Sequence, residues 1–265
     1  MLGEWLRDVT RPLRQSIAER LDHRQRLDHQ LTPDDQFASR SYAGSGEDIF
    51  VISWLNHCGV DLAKVRYLDI GAAHPINLSN TYLLYQRGAS GVLAEPDPDQ
   101  AAELRHARLR DRVVVGGAAF DDRVSAQLIR MSGRVFNTFS QAQADHVVTS
   151  SNGWGEENKQ SVVDKIDVPM FQINDLMAMM DTTPHFVSID AESKDFDIIK
   201  RLDFSRYRPL IMCFEAMVAF NDLMAFFVPR GYAFASRTPD NIFFVLEPLP
   251  GQREQFGSVS YMPPQ

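Results

Sequence analysis

From residue 65 onward, short apolar runs alternate with stretches whose apolar residues recur every three or four positions. The runs predict strands at 65–70, 91–95, 112–116, 186–190 and 210–215. Strands alternating with helices are the pattern of a parallel sheet covered by helices, so the expected class is α/β. Two later runs, 232–236 and 242–247, are joined by Thr238, Pro239, Asp240 and Asn241, whose turn chemistry suits an antiparallel hairpin.

Between 121 and 181 the pattern is thinner, with strands expected at 126–131 and 168–173. The polar stretch from Thr149 through Asn152 and Trp154 to Gly155 reads as a long loop, of the kind that forms a lid or stays disordered. At the start, Leu2, Trp5, Leu6, Val9, Leu13, Ile17 and Leu21 recur at helical spacing. Pro12 interrupts them, which suits a new helix capped by Thr10 with Pro12 in its first turn. The expected organisation is an N-terminal helical arm over 1–40, a main domain over 41–250 and a tail over 251–265. The arm would pack on its own domain or join two copies as a homo-oligomer. The Phe and Met residues at Met217, Phe220, Met224, Phe226 and Phe227 read as core.

The 265 residues, 44% hydrophobic and 23% charged, suffice for a sizeable core. A net charge of -8 argues against nucleic acid as a partner, because duplex binding rests on clustered Lys and Arg. No apolar run is long enough for a membrane span, and the first residues hold no signal-peptide core, so a cytoplasmic location is expected. Cys58 and Cys213 sit among apolar neighbours and are expected to be buried free thiols.

Ligands of open parallel sheets bind outside the carboxyl ends of the strands, and here those ends are acidic. The first run ends in Asp69, Ile70 and Gly71, and the second in Glu95, Pro96 and Asp97. Gly71 permits a sharp turn and Asp69 places a carboxylate at its floor, while Glu95 is positioned to accept two hydrogen bonds from a ribose diol. A dinucleotide fingerprint would need glycines at 71, 73 and 76, but the chain has Gly71, Ala73 and Ile76. An adenosine ligand without phosphates to cradle fits better than a nicotinamide dinucleotide. The alternative is that Asp69 caps a turn and Glu95 is solvated.

At these residues the chain resembles the FkbM-type methyltransferases, which use S-adenosylmethionine. The resemblance runs over 41–215 and is carried by Ser41 and Tyr42 with Gly46, Glu47 and Asp48; by Asp69, Ile70, Gly71 and Ala72; by Asn80, Thr81 and Tyr82; by Glu95, Pro96, Asp97 and Pro98; and by Ile189, Asp190, Ala191 and Glu192 followed by Arg208, Pro209 and Glu215. It implies a class I, Rossmann-like sheet of seven strands with S-adenosylmethionine as cofactor. It also implies that Asp69 and Gly71 lie near the methionine part, Glu95 on the ribose, and Gly117, Ala118 and Ala119 near adenine, with Ala72, Pro96 and Asp97 also among the cofactor-binding residues. The chain departs from the family at Ala73, Pro75, Ser193 and Asp195. Pro75 cannot take a positive φ, so the loop after the first strand must run differently here.

The activity the resemblance implies is O-methylation of a hydroxyl on a sugar, glycan or secondary metabolite, the acceptor being a small molecule or a glycan. The other class considered is a catalytically inactive adenosine-ligand binding or scaffold protein of the same fold. Moving a methyl group to an alcohol requires that the hydroxyl lose its proton. His74, in the turn facing the cofactor, and Asp190, with Glu192 two residues on, are the catalytic candidates; Asp190 could equally orient the cofactor's amino group. His74 could instead fix its loop through a ring hydrogen bond to a backbone carbonyl. Asp190, Glu192 and Glu215 could also hold a hard cation, but the metal-free reading is taken because Asp190 is wanted near the cofactor as well. Tyr42, Glu47 and Asp48 either close over the methionine end or start a helix. Ser79 or Asn77 is expected to cap the helix through Tyr82 and Leu84.

Overall fold

The computed structural model describes residues 39–191, 194–215 and 218–247. The helical arm up to residue 38, the tail over 251–265, Glu192, Ser193 and Met217 lie outside the described residues.

A seven-stranded sheet has the order β3-β2-β1-β7-β8-β10-β9. Its strands are β1 (Arg66–Ile70), β2 (Ser90–Glu95), β3 (Arg112–Val115), β7 (Phe186–Ile189), β8 (Ile211–Glu215), β9 (Tyr232–Arg237) and β10 (Asn241–Leu246). The first five are parallel, and β10 pairs antiparallel with both β8 and β9. This is the sheet the hydrophobic pattern and the resemblance imply. The hairpin closes where Thr238 N–H donates to the Asn241 carbonyl at 2.8 Å.

Strand residues alternate between two cores. Leu68, Ile70, Val92 and Ala94 pack with Ile173, Ile198, Leu223 and Phe227 on one face. Tyr67 and Leu93 pack with Val51, Leu55, Leu84 and Leu104 on the other. The aromatic stretch expected as core does belong there, with Phe227 stacked 4.1 Å from Phe244 in the helix Phe220–Phe227. Both cysteines are free; Cys213 is buried and Cys58 half-buried.

The strands β4 (Gly117–Ala118), β5 (Ser125–Met131) and β6 (Val162–Phe171) form a second sheet in the order β4-β6-β5. Here the thinner sequence pattern misleads. β6 begins at Val162 rather than 168, because Asp164, Lys165 and Asp167 disguise a strand whose early residues are mostly exposed. The stretch expected as a long loop is partly the helix Gln141–Ser151, which buries Ala144, Val147 and Ser151 and is capped by Ser140 Oγ accepting from Gln143 N–H at 3.3 Å. The described residues divide into two compact units, one containing Ile129–Asp164 and the other containing Ser41–Leu128 and the described residues from Lys165 to Glu247. The smaller has its own core of Ile129, Met131, Ala144 and Val147.

Candidate active site

The carboxyl ends of β1, β2 and β7 lie side by side, with Asp69 opposite both Leu93 and Ser188 in register. Gly71 turns the chain out of β1 at φ 79°, in the left-handed region. A Cβ there would lie 1.9 Å from the Asp190 carbonyl oxygen, which sits just past β7. Gly71→Ala is therefore expected to lower stability by about 1–3 kcal/mol through the backbone conformation alone, with the carbonyl clash adding to it. Urea denaturation would read this, and an unaltered midpoint would mean that the turn can relocate.

The loop from Gly71 to Thr81 departs from the glycine-rich form as Pro75 requires. Beyond Gly71 itself, its positive φ values fall on two non-glycine residues, Ala73 (47°) and Leu78 (59°). Ala73 N–H donates to Glu95 Oε2 at 2.8 Å, and Asp97 N–H donates to Glu95 Oε1 at 2.8 Å. Glu95 is 3% exposed, so it is not solvated, and burial pushes its carboxyl up to about 7 despite both backbone bonds. Asp69 is likewise buried and raised to about 6, its Oδ2 accepting from Thr81 Oγ1 at 2.6 Å.

His74 holds its loop, though not through a carbonyl. Its Nδ1 accepts from Ile76 N–H at 3.0 Å and Asn77 N–H at 2.9 Å, which puts the proton of the neutral ring on Nε2. Neither Ser79 nor Asn77 is the cap residue of the helix Tyr82–Gln86: that position is Thr81, whose side chain makes no cap bond, while Ser79 Oγ, two residues earlier, accepts from Tyr82 N–H at 3.1 Å. Asn80 ties the loop to β7 through Ser188 Oγ at 3.0 Å. Asp97 caps the helix Pro98–Ala107 by accepting from Asp99 N–H at 2.9 Å, and Pro96 is half-buried between it and Glu95. Ala72 and Ala118 are buried, Ala118 pairing with Phe171 across to β6.

Glu47 and Asp48, both fully buried, organise the start of the helix Glu47–His57. Glu47 Oε1 accepts from Thr238 Oγ1 at 2.6 Å and its Oε2 from Ser45 N–H at 2.7 Å, fastening the helix to the hairpin. Asp48 Oδ2 accepts from Tyr42 N–H at 2.7 Å, and the Tyr42 ring packs edge-on to Tyr82 at 4.8 Å.

Beyond β7, the Asp190 backbone N–H donates to the Ile70 carbonyl at 2.9 Å and its side chain is exposed. Asp195, five residues on, is buried; its Oδ1 accepts from Ala191 N–H at 2.9 Å and its Oδ2 has no hydrogen-bond partner among the described residues. Burial, then the charges of Asp190 and Glu215, hold the Asp195 carboxyl well above the usual range. Among the described residues no group of three or more His, Cys, Asp or Glu side chains is placed to hold a metal ion. Arg108, buried against this loop, carries no local signal in the sequence, since Arg105, Arg108, Arg110 and Arg112 crowd one short stretch.

A parallel sheet with a glycine turn and buried acids at its carboxyl edge defines a Rossmann-like ligand-binding domain. The methyltransferase FkbM domain matches residues 69–234, and the chain belongs to that family. Among solved structures it is similar to an O-methyltransferase from Bacillus cereus in complex with SAH, at 12% identity over 93% of this chain and 97% of that one, TM-score 0.39. It is similar also to the precorrin-6y C5,15-methyltransferase from Geobacter metallireducens, at 13% identity over 81% and 96%, TM-score 0.38. A TehB-like SAM-dependent methyltransferase from Corynebacterium glutamicum matches at 12% identity over 75% and 95%, TM-score 0.33. No curated protein matches the chain. No described helix is long and apolar enough to cross a membrane.

Proposed function

We propose that the protein is an S-adenosylmethionine-dependent methyltransferase acting on a hydroxyl of a small-molecule or glycan acceptor, such as a sugar or secondary metabolite. The observation that carries this reading is the buried Glu95 carboxylate bonded to the backbone of the loop that follows Gly71. Each of its oxygens already accepts one backbone N–H and keeps lone-pair capacity for a ribose hydroxyl. Ala73 and Ile76 stand where a pyrophosphate would want glycine, so the edge suits an adenosine group without phosphates.

When bound, the cofactor supplies a methyl group on a sulfonium. The chain's part is to position that group and to manage one proton. Glu95 holds the ribose end, the Gly71 turn and Ala72 line the approach, the Ala73 and Asp97 N–H groups fix the Glu95 carboxylate, and Ala118 borders the adenine side. Asp190, exposed beside the Gly71 turn, takes the proton of the acceptor hydroxyl. His74, whose Nδ1 is engaged by two backbone N–H groups, orients the loop.

S-adenosylhomocysteine is expected to stabilise the folded protein by about 2.7 kcal/mol at a hundredfold excess over its Kd, visible as a rise in Tm, while NAD and NADP leave Tm unchanged. A shift with NAD alone would replace this reading by an oxidoreductase. With Asp190 as base, turnover is expected to persist after dialysis against a chelator. Loss of turnover that magnesium or manganese restores would make Asp190 a metal ligand instead.

A further inference from the structure

The loop between Gly71 and Thr81 holds two non-glycine residues, Ala73 and Leu78, in the left-handed region, and Leu78 is 61% exposed. Such a conformation persists only where the surroundings over-determine it. His74 bonds the loop to itself. Ala73 N–H and the Asn80 side chain tie it outward to Glu95 and Ser188, and a further outside restraint comes from Arg108, just past the helix Pro98–Ala107, with its side chain 1% exposed.

Its guanidinium makes four hydrogen bonds. Nε donates to Asp111 Oδ2 at 2.8 Å, Nη1 to the Pro75 carbonyl at 3.1 Å, and Nη2 to Tyr67 Oη at 2.9 Å and Thr81 Oγ1 at 3.1 Å. Thr81 Oγ1 in turn donates its own proton to Asp69 Oδ2. Arg108 thus grips the loop at its middle and at its end, while Asp111 anchors the guanidinium from behind. The surroundings are built for this. A Cβ at Gly91 would lie 2.2 Å from the Tyr67 ring, so glycine there lets Tyr67 cross to Asp111, which its hydroxyl meets at 2.7 Å. Gly91 N–H donates to Asp111 Oδ1 at 2.8 Å, and the Tyr85 ring faces the guanidinium carbon at 4.6 Å.

We infer that Arg108 is a positioning residue that sets the 71–81 loop for the cofactor from behind, through Pro75 and Thr81, without touching the cofactor itself. This rests on the methyltransferase reading for what the loop binds.

Arg108→Lys tests it, because lysine keeps a positive charge beside Asp111 but its ammonium cannot span the four acceptors. Amide hydrogen exchange at Ala73, Ile76 and Asn77 is expected to accelerate at least tenfold, with Leu68 and Leu93 in β1 and β2 unchanged. The Kd for S-adenosylhomocysteine is expected to rise at least fivefold. Unaltered exchange in the loop would overturn the inference, and so would a loosened loop with unaltered Kd. Should Arg108→Lys fail to fold, Thr81→Val removes one grip and leaves the Arg108–Asp111 pair intact. It is expected to show both effects, while Thr81→Ser, which keeps the hydroxyl, shows neither. If the unmodified protein fails to bind S-adenosylhomocysteine, the methyltransferase reading falls, and the exchange rates still decide whether Arg108 holds the loop.

Discussion

Replacing Glu95 by alanine is expected to weaken S-adenosylhomocysteine binding by about 1.5–3 kcal/mol, roughly ten- to hundredfold, with the protein still folded. The loss has two sources, the ribose hydroxyls that lose their acceptor and the Ala73 and Asp97 N–H groups that lose their partner. Glu95 also makes the binding depend on pH. Its carboxyl ionises at about 7 in the folded chain against an ordinary 4.5, so folding takes up a proton between those values. This group's contribution to stability is therefore fully present below about 4.5 and is lost as pH rises through about 7. Asp69 acts in the same sense between 3.8 and about 6. Ligand affinity moves the other way, because a ribose diol needs the ionised acceptor, and is expected to rise with pH through about 7. Glu95→Gln should flatten both trends. Calorimetric titration at pH 6 and 8, with urea midpoints at pH 5 and 8, would show it. Parallel pH trends in the Gln variant and the unmodified protein would remove Glu95 from the site.

What is legible in the sequence is what local pattern controls. Apolar runs such as Val92, Leu93 and Ala94 alternate between the two cores, so their strands can be read with ends within a residue or two. The acids that end those runs can be read too, as can the turn at Gly71. The first half of β6 is exposed and charged, which removes the apolar signal while leaving the backbone pairing, so the pattern shows only its second half. The helix Gln141–Ser151 looks like loop because it buries only three side chains of its polar sequence. Arg108 cannot be read at all. Its partners Tyr67, Pro75 and Thr81 lie 41, 33 and 27 residues away, and nothing within its own stretch separates it from its neighbouring arginines. Glu47 shows the same limit from the other side: its acid can be seen, but not the hairpin 191 residues on that it meets.

Asp111→Ala is expected to be the most damaging single substitution for stability, costing about 3–5 kcal/mol. Asp111 has a fully buried side chain and accepts from Arg108 Nε, Tyr67 Oη and Gly91 N–H at once, so its removal strands a buried guanidinium as well as a hydroxyl and an amide. A small folded domain is stable by only about 5–15 kcal/mol, so the variant would sit near the edge of folding. The exposed Lys64–Asp61 pair, 82% and 56% accessible, is screened by water, and its loss should leave the urea midpoint unmoved. The double variant Arg108→Met with Asp111→Leu separates the two things the network does. With neither charge of the Arg108–Asp111 pair left buried, it is expected to recover part of the lost stability. It is not expected to recover cofactor affinity, because the Pro75 carbonyl and Thr81 hydroxyl remain without the guanidinium that held them. Urea denaturation of the three proteins, with calorimetry on those that fold, decides between these outcomes. A loss under about 1 kcal/mol in Asp111→Ala would mean that water reaches Arg108 and that the pair is not the anchor its geometry describes.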